Sequence, residues 1–106
     1  MSGDWVRVRA RIHLLSPDEG GRTSAVFGSY RPIHNFFGPD DREMAMGFIE
    51  VPTERPFQPG ETREFEILLS TWPTLMPELK EGRTWRIQEG RHLVGTGTIL
   101  EVLPDV

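Results

Sequence analysis

The alternation between Trp5 and Leu15, in the sequence WVRVRARIHLL, most constrains what this chain can fold into. Apolar side chains occupy one parity of the stretch, and three arginines and a histidine occupy the other. A period of two with β-branched residues is typical of a strand that buries one face and exposes the other. This stretch therefore predicts a half-buried strand.

Other apolar segments predict further strands separated by turns. They are residues 24–27 and 30–37, which read as one strand interrupted by Gly28, and residues 43–51, 62–70, 83–88 and 93–103. In the first of them, Pro32 indicates an edge or a bulge. Glycine and proline mark the connections, and we expect one helical turn around Leu79. Such a chain forms a small antiparallel barrel or sandwich. Closure is favoured because an open sheet leaves edges that can pair with other chains.

Two of these strands carry finer expectations. Residues 43–51 are apolar on both parities, with Met46 and Phe48 on the second one. This pattern indicates burial on both sides, or a place where the barrel packs against something. Inside the last predicted strand, Gly95 and Gly97 imply bulges or a close approach of the backbone, as at the bends of a barrel.

Length and composition bound the possible classes of protein. The 106 residues provide for one domain, covering residues 1–106. The absence of cysteine excludes a disulfide framework, a zinc ribbon and thiol catalysis, and it agrees with a reducing compartment. No apolar run approaches the ~20 residues of a membrane helix, and the N-terminus lacks the hydrophobic stretch of a signal peptide. We expect a cytoplasmic protein that does not enter a membrane.

The charge balance and the motifs restrict the chemistry. With 12 basic and 16 acidic residues the net charge is −4, the wrong sign for binding nucleic acid by bulk charge. His13, His34 and His92 show neither HxH nor HxxxH spacing, and no serine lies in a GxSxG motif. A phosphate loop is absent as well. The sequence predicts a protein that is not an enzyme, needs no metal or cofactor, and binds no nucleotide.

Five short segments, in order, resemble the C-terminal domain (domain III) of the translation elongation factor Tu family. They are LLSPDEGGR, TSAVF leading to YRP, GFIEVP, QPGE, and WRIQEGRHLVGTGTIL, and they extend from about Ala10 to Leu103. The resemblance implies a closed six-stranded antiparallel β-barrel. In the family this barrel packs on a GTPase domain, which this chain lacks, and on a second barrel. Its surface also helps grip aminoacyl-tRNA and meets the nucleotide-exchange factor.

The resemblance implies a set of RNA- or partner-binding residues. In the family, the positions of Gly20, Gly21 and Arg22 form a loop that approaches the tRNA backbone, and Thr23 follows where a histidine is usual. Two hydroxyls, on Thr23 and the next residue, can meet a phosphate oxygen. The end of the same motif matches Tyr30, Arg31 and Pro32, and a late turn of the family matches residues 88–91, which include Arg91.

Two departures from the family alter the charge of the surface. Arg9 and Arg11 stand where acids are frequent, so that Arg7, Arg9 and Arg11 form a row with a spacing of ~7 Å that can follow phosphates. The alternative is that the row pairs locally with Glu64 and Glu66 on another strand.

The tryptophans have different expected roles. Trp85 alternates with an isoleucine and is predicted to lie in the core. Trp72 replaces a lysine or histidine of the family, and it either caps the barrel end or is an exposed anchor for a partner. We expect a protein-interaction module that uses the former interdomain face, including Trp72, to form a homodimer or to bind a protein such as a translation factor. The alternative is a tRNA- or structured-RNA-binding module that uses the arginines, but the acidic net charge favours protein interaction.

Overall fold

The computed structural model describes residues 4–40 and 43–104. Its strands, in chain order, are β1 (Trp5–Leu14), β2 (Gly28–Tyr30), β3 (Ile33–Asn35), β4 (Ala45–Val51), β5 (Thr62–Ser70), β6 (Thr84–Glu89) and β7 (His92–Val102). Two 3-10 turns, Pro17–Glu19 and Met76–Glu78, lie in the connections, the second close to the helical turn expected around Leu79. Within the described ranges no helix is long and apolar enough to cross a membrane.

Six of the strands close into an antiparallel barrel. The order is β4-β3-β6-β7-β1-β5, and β5 pairs back onto β4 through residues such as Leu68, which lies opposite Phe48. The short strand β2 pairs only with the second half of β4 and is an outer strand. The all-β, six-stranded closed barrel predicted from the sequence is confirmed, and the additional outer strand extends it.

Strand β1 has the two faces that its alternation predicts. Val8, Ala10, Ile12 and Leu14 are buried in the core cluster, whereas the arginines between them point outward. Burying an aliphatic side chain of this size stabilises the fold by roughly 1.5–3 kcal/mol. Pairing with β5 on one side and β7 on the other makes β1 a central strand of the barrel wall.

The strand predicted around Gly28 differs from the observed one at both ends. Residues 24–27 make only the isolated bridge of Val26 with Phe57, and Gly28 begins β2 with a φ of 72°. The break falls between Tyr30 and Ile33, where the sequence indicated an edge or a bulge. Pro32 lies in that break, and its lack of a backbone N–H removes a donor from the ladder. As a result, β2 and β3 pair with different halves of β4.

Gly97 and Gly95 are places of close approach, one of the two alternatives expected for them. A Cβ on Gly97 would lie 2.6 Å from the ring of Trp85, and one on Gly95 would lie 2.8 Å from the carbonyl oxygen of His13. Trp85 is buried in the core, as predicted. The register shift near these glycines falls on β6, between Ile87 and Gln88.

Candidate functional site

Three separate segments meet at one edge of the barrel. Glu89, at the end of β6, presents one carboxylate oxygen to two residues. They are Arg22 from the loop after β1 and Tyr30 from β2. Nη1 of Arg22 lies 2.5 Å from Oε2 of Glu89, and Oη of Tyr30 donates to the same oxygen at 2.6 Å. His92 adds a contact of 2.5 Å from Nε2 to the carbonyl oxygen of Gly20. We call these five residues the loop cluster.

The loop that carries Arg22 is shaped by its own sequence. Ser16 caps the 3-10 turn and Glu19 closes a capping box with it, and Gly20 then adopts a φ of 87°. Gly21 passes so close to Leu15 that a Cβ there would lie 2.2 Å from the Leu15 carbonyl oxygen. The two glycines therefore let the chain turn back toward the end of β6.

The charged groups of the loop cluster are already paired with neighbouring groups. Besides its pair with Glu89, Arg22 donates to Ser24 through Nε to the carbonyl at 3.2 Å and through Nη2 to the hydroxyl at 3.1 Å. Burial, followed by the hydrogen bond to Glu89, raises the pKa of Tyr30 well above its ordinary value of 10.0. A shallow cleft of about 260 Å³ lies beside these groups, with Thr23 in its wall. The positive charge of Arg22 is thus already compensated.

Arg91 and Arg31 have different positions from Arg22. Arg91 lies at the exposed tip of the β6–β7 hairpin, next to the loop cluster, and pairs with no carboxylate in the described part of the chain. Arg31 is exposed and lies outside the cluster, with its guanidinium carbon 4.9 Å from the ring centre of Phe48. Of the arginines that the resemblance grouped, Arg22 and Arg91 therefore lie at one edge of the barrel, whereas Arg31 is separated from them.

The arginine row on β1 is largely paired with acids. Arg9 contacts Glu64 at 2.9 Å and Glu101 at 3.3 Å, while Arg7 lies 3.9 Å from Glu66. Arg11 makes no ion pair within residues 4–40 and 43–104. The local pairing that the sequence left open is therefore what the structure shows for two of the three arginines. Exposed pairs of this kind are worth up to about 1 kcal/mol each.

The outward face of β4, β5 and β1 carries an aromatic surface. Trp5 stacks on Phe48 with a centroid distance of 5.7 Å and an interplanar angle of 16°, so its ring reaches across β5. Leu68 lies opposite Phe48 in register, and Met46 is 62% exposed on the same side. We call Trp5, Arg31, Met46, Phe48 and Leu68 the outer aromatic surface.

The sequence pattern indicated only part of the outer aromatic surface. The apolar second parity of residues 43–51 indicated either burial on both sides or a contact surface, and in the isolated chain that parity faces outward. The participation of Trp5 and Leu68 depends on which strands become neighbours. Because both residues lie far from residues 43–51 in sequence, the pattern within that segment could not reveal them.

Trp72 lies as a cap at the barrel end, which is one of the two roles expected for it. It is partly buried and packs against the core, and its indole Nε1 is buried without a hydrogen-bond partner. Its carbonyl oxygen accepts from the backbone N–H groups of Leu75 and Met76, both at 2.9 Å. The backbone N–H of Thr71 donates to the carbonyl of Asp4 at 2.9 Å, which places the Trp72 cap at the same barrel end as Trp5.

The histidines lie in three different environments. His13 is bonded to Thr62 at 2.9 Å and to Glu19 at 3.0 Å, whereas His34 is fully buried. Across the described ranges, no three histidine or carboxylate side chains gather where they could hold a metal ion.

Models of known protein families give no match to this chain. The similarity to domain III of elongation factor Tu therefore rests on the sequence motifs and on what they imply, and it stays a prediction. What the structure establishes is the class of fold, a closed six-stranded antiparallel barrel with one outer strand.

Proposed function

We propose that the protein is a non-enzymatic protein-binding module, with a barrel like domain III of elongation factor Tu, that docks a partner protein on the outer aromatic surface. The observation that carries the proposal is the stack of Trp5, which is 37% exposed, on the half-buried Phe48. Tryptophan and arginine are enriched among the residues that contribute most to binding at protein interfaces, where they fill well-packed, desolvated positions. Arg31 beside Phe48 completes such a combination.

The charges beside the surface favour a partner with basic side chains. Glu50 and Glu66 each lie two residues along a strand from Phe48 and Leu68, on the same outward parity. Glu50 is exposed and unpaired in the described part of the chain, and Glu66 has only the 3.9 Å contact with Arg7. A lysine or arginine of the partner can therefore pair with a carboxylate while an apolar neighbour covers the rings.

RNA binding is the second candidate, because the structure does bring Arg22, Tyr30 and the hairpin carrying Arg91 to one edge. Against it, Glu89 already compensates Arg22 and the net charge is −4. Phosphate contacts require cations that can exchange counterions for the nucleic acid. In the arginines that are already paired, a carboxylate of the protein occupies the position that a phosphate would take.

Site-directed crosslinking tests the protein-binding proposal. Met46 is replaced by a photo-crosslinking amino acid in cells. Arg55, which is exposed in the turn region after β4, is the control position. We expect one protein to be captured from position 46 only, and the purified pair to lose at least tenfold in affinity on Trp5→Ala or Phe48→Ala. Equal capture from both positions, or an affinity that ignores both substitutions, contradicts the proposal.

Two further measurements separate the remaining possibilities. Sedimentation of the purified protein identifies the partner as a second copy if a dimer forms and Trp5→Ala dissociates it. A salt-dependent, submicromolar tRNA complex that is lost in both Arg22→Ala and Arg91→Ala would instead establish the RNA candidate.

A further inference from the structure

A cleft of about 480 Å³ opens on strands β3, β6 and β7, away from the outer aromatic surface. Its walls are the loop after β3 on one side and the first half of β6 with Thr96 of β7 on the other. The lining residues are Asn35, Phe36, Phe37, Gly38, Arg83, Thr84, Trp85, Arg86 and Thr96. The volume falls in the range of small-molecule sites, ~300–1,000 Å³.

Hydrogen bonds hold the loop wall in place. Oδ1 of the buried Asn35 accepts from the backbone N–H groups of Phe37 at 3.1 Å and Gly38 at 3.2 Å. Nδ2 of Asn35 donates to the carbonyl of Gly38 at 2.6 Å and to Oε1 of Gln88 at 2.9 Å. Arg83 donates to the carbonyl of Phe36 and pairs with Glu78. The cleft is therefore built before any ligand arrives.

Arg86 is a cation of this cleft that makes no ion pair in the described part of the chain. It is partly buried, and its single polar contact in the described part of the chain is a long one, 3.4 Å from Nε to Oε1 of Gln88. Two carboxylates of neighbouring chain segments are engaged by other arginines, Glu89 by Arg22 and Glu78 by Arg83. Among residues 4–40 and 43–104 nothing bonds to the two terminal nitrogens of Arg86, so they can make the paired, charge-assisted hydrogen bonds that a guanidinium forms with an oxyanion.

Hydroxyl and aromatic groups accompany this cation. Thr96 lies directly opposite Arg86 in the β6–β7 register, and Thr84 precedes it by two residues on the same strand face. Their hydroxyls can donate to the oxygens that a guanidinium binds. At the rim, Phe37 is 41% exposed, which offers an apolar face beside the charge.

The geometry points to a small-molecule site in this cleft, for a ligand with one oxyanion group, carboxylate or phosphate, attached to a flat apolar body. Arg86 binds the oxyanion with help from Thr84 and Thr96, and Phe37 covers the apolar part. This site is separate from the proposed protein-binding surface, because β6 and β7 lie across the barrel from β4 and β5.

Amide NMR titration of the full-length, isotope-labelled protein with benzoate and phenyl phosphate tests the site, with uncharged benzyl alcohol as the third probe. We expect at least one anion to shift the amides of Phe37, Arg86 and Thr96 at millimolar concentration, and benzyl alcohol to bind at least tenfold more weakly. The anion that binds more tightly identifies the oxyanion. Equal binding of the alcohol, or no binding of either anion, overturns the inference.

Two arginine variants make the test specific. Arg86→Gln should weaken anion binding by about tenfold or more, since it removes a charge-assisted pair of hydrogen bonds. Arg86→Lys keeps the charge but not the fork, so it should retain only part of the affinity. Arg55→Gln removes an exposed charge outside the cleft and should leave binding unchanged. Amide dispersion checks that each variant is folded, and an equal loss in Arg55→Gln would mean bulk charge attraction and contradict the site.

Discussion

The indole N–H of Trp85 donates to Nδ1 of His34 across 3.0 Å in the barrel interior. This bond makes Nδ1 the acceptor, so a neutral His34 carries its proton on Nε2. Nε2 faces the backbone of Gly47 and makes no hydrogen bond of normal geometry. Burial lowers the pKa of His34 to about 4, while the nearby Gly47 backbone acts weakly in the opposite direction. The interior therefore holds a histidine that must stay neutral.

The first prediction is a loss of stability between pH 6.5 and pH 4. The pKa of His34 is about 4 when folded against an ordinary 6.5, so over this range the unfolded chain binds the proton and the folded chain does not. The contribution is fully present above pH 6.5 and is lost as the pH falls toward 4, by about 3 kcal/mol. Urea unfolding at several pH values measures it. The lowered pKa of Glu19, due first to its backbone bond with Ser16, adds a further loss of stability that begins as the pH falls through 4.5, at the lower end of this window.

A His34→Gln variant is the control for that experiment. It should lower stability at neutral pH but show a flatter pH dependence between 4 and 6.5, because the buried titrating group is gone. If the variant and the native protein lose stability in parallel over this range, another group is responsible.

The second prediction concerns the space beside the same ring. A Cβ on Gly47 would lie 2.6 Å from Nε2 of His34 and 2.9 Å from a methyl carbon of Leu69. Gly47→Ala should therefore cost about 1–3 kcal/mol through overpacking, as urea unfolding would show. Met46→Ala, on the exposed face of the same strand, should change stability by about 0.5 kcal/mol or less.

A double mutant makes this second test sharper. If the clash with His34 is the cause, Gly47→Ala combined with His34→Ala should cost less than the sum of the two single changes. Additive costs would place the strain elsewhere.

The third prediction uses the fact that the chain has one tyrosine. Tyr30 should remain un-ionised well above its ordinary pKa of 10.0 while the protein is folded, because it is partly buried and donates to Glu89. Glu89→Gln removes the negative charge, so ionisation should begin at lower pH. The ultraviolet absorbance of tyrosinate reports this residue alone. Glu64→Gln, a carboxylate on the opposite wall, should leave the titration unchanged, and an equal effect of both variants would contradict the assignment.

The fold was predictable wherever a short-range pattern determined it. Strand β5 has the predicted bounds, 62–70, and β1 ends one residue earlier than its alternation, at Leu14. The break after β2 lies at Pro32, where the sequence indicated an edge or a bulge, because proline cannot donate to the ladder. Gly28, where the interruption was predicted, instead begins β2 with a positive φ, which glycine tolerates.

The candidate sites were less predictable, because their partners come from distant parts of the chain. Glu89, which compensates Arg22, lies 67 positions away in sequence. Trp5 meets Phe48 only because the barrel closes between β4 and β5. Arg86 was not singled out at all, since its distinction is that it pairs with no carboxylate of the described residues, and that appears only after the other pairs are known.

The last prediction compares two tryptophans that undergo the same substitution. Trp72 has a buried indole N–H without a partner, whereas Trp85 donates its N–H to His34. Trp72→Phe removes an unsatisfied donor, which offsets the lost packing, so stability should stay within about 1 kcal/mol of the native protein. Trp85→Phe leaves Nδ1 of His34 buried and unpaired and should cost about 2 kcal/mol more than Trp72→Phe. Urea unfolding at neutral pH measures both. Equal costs for the two variants would show that ring volume, and not the hydrogen bond, sets the stability of the interior.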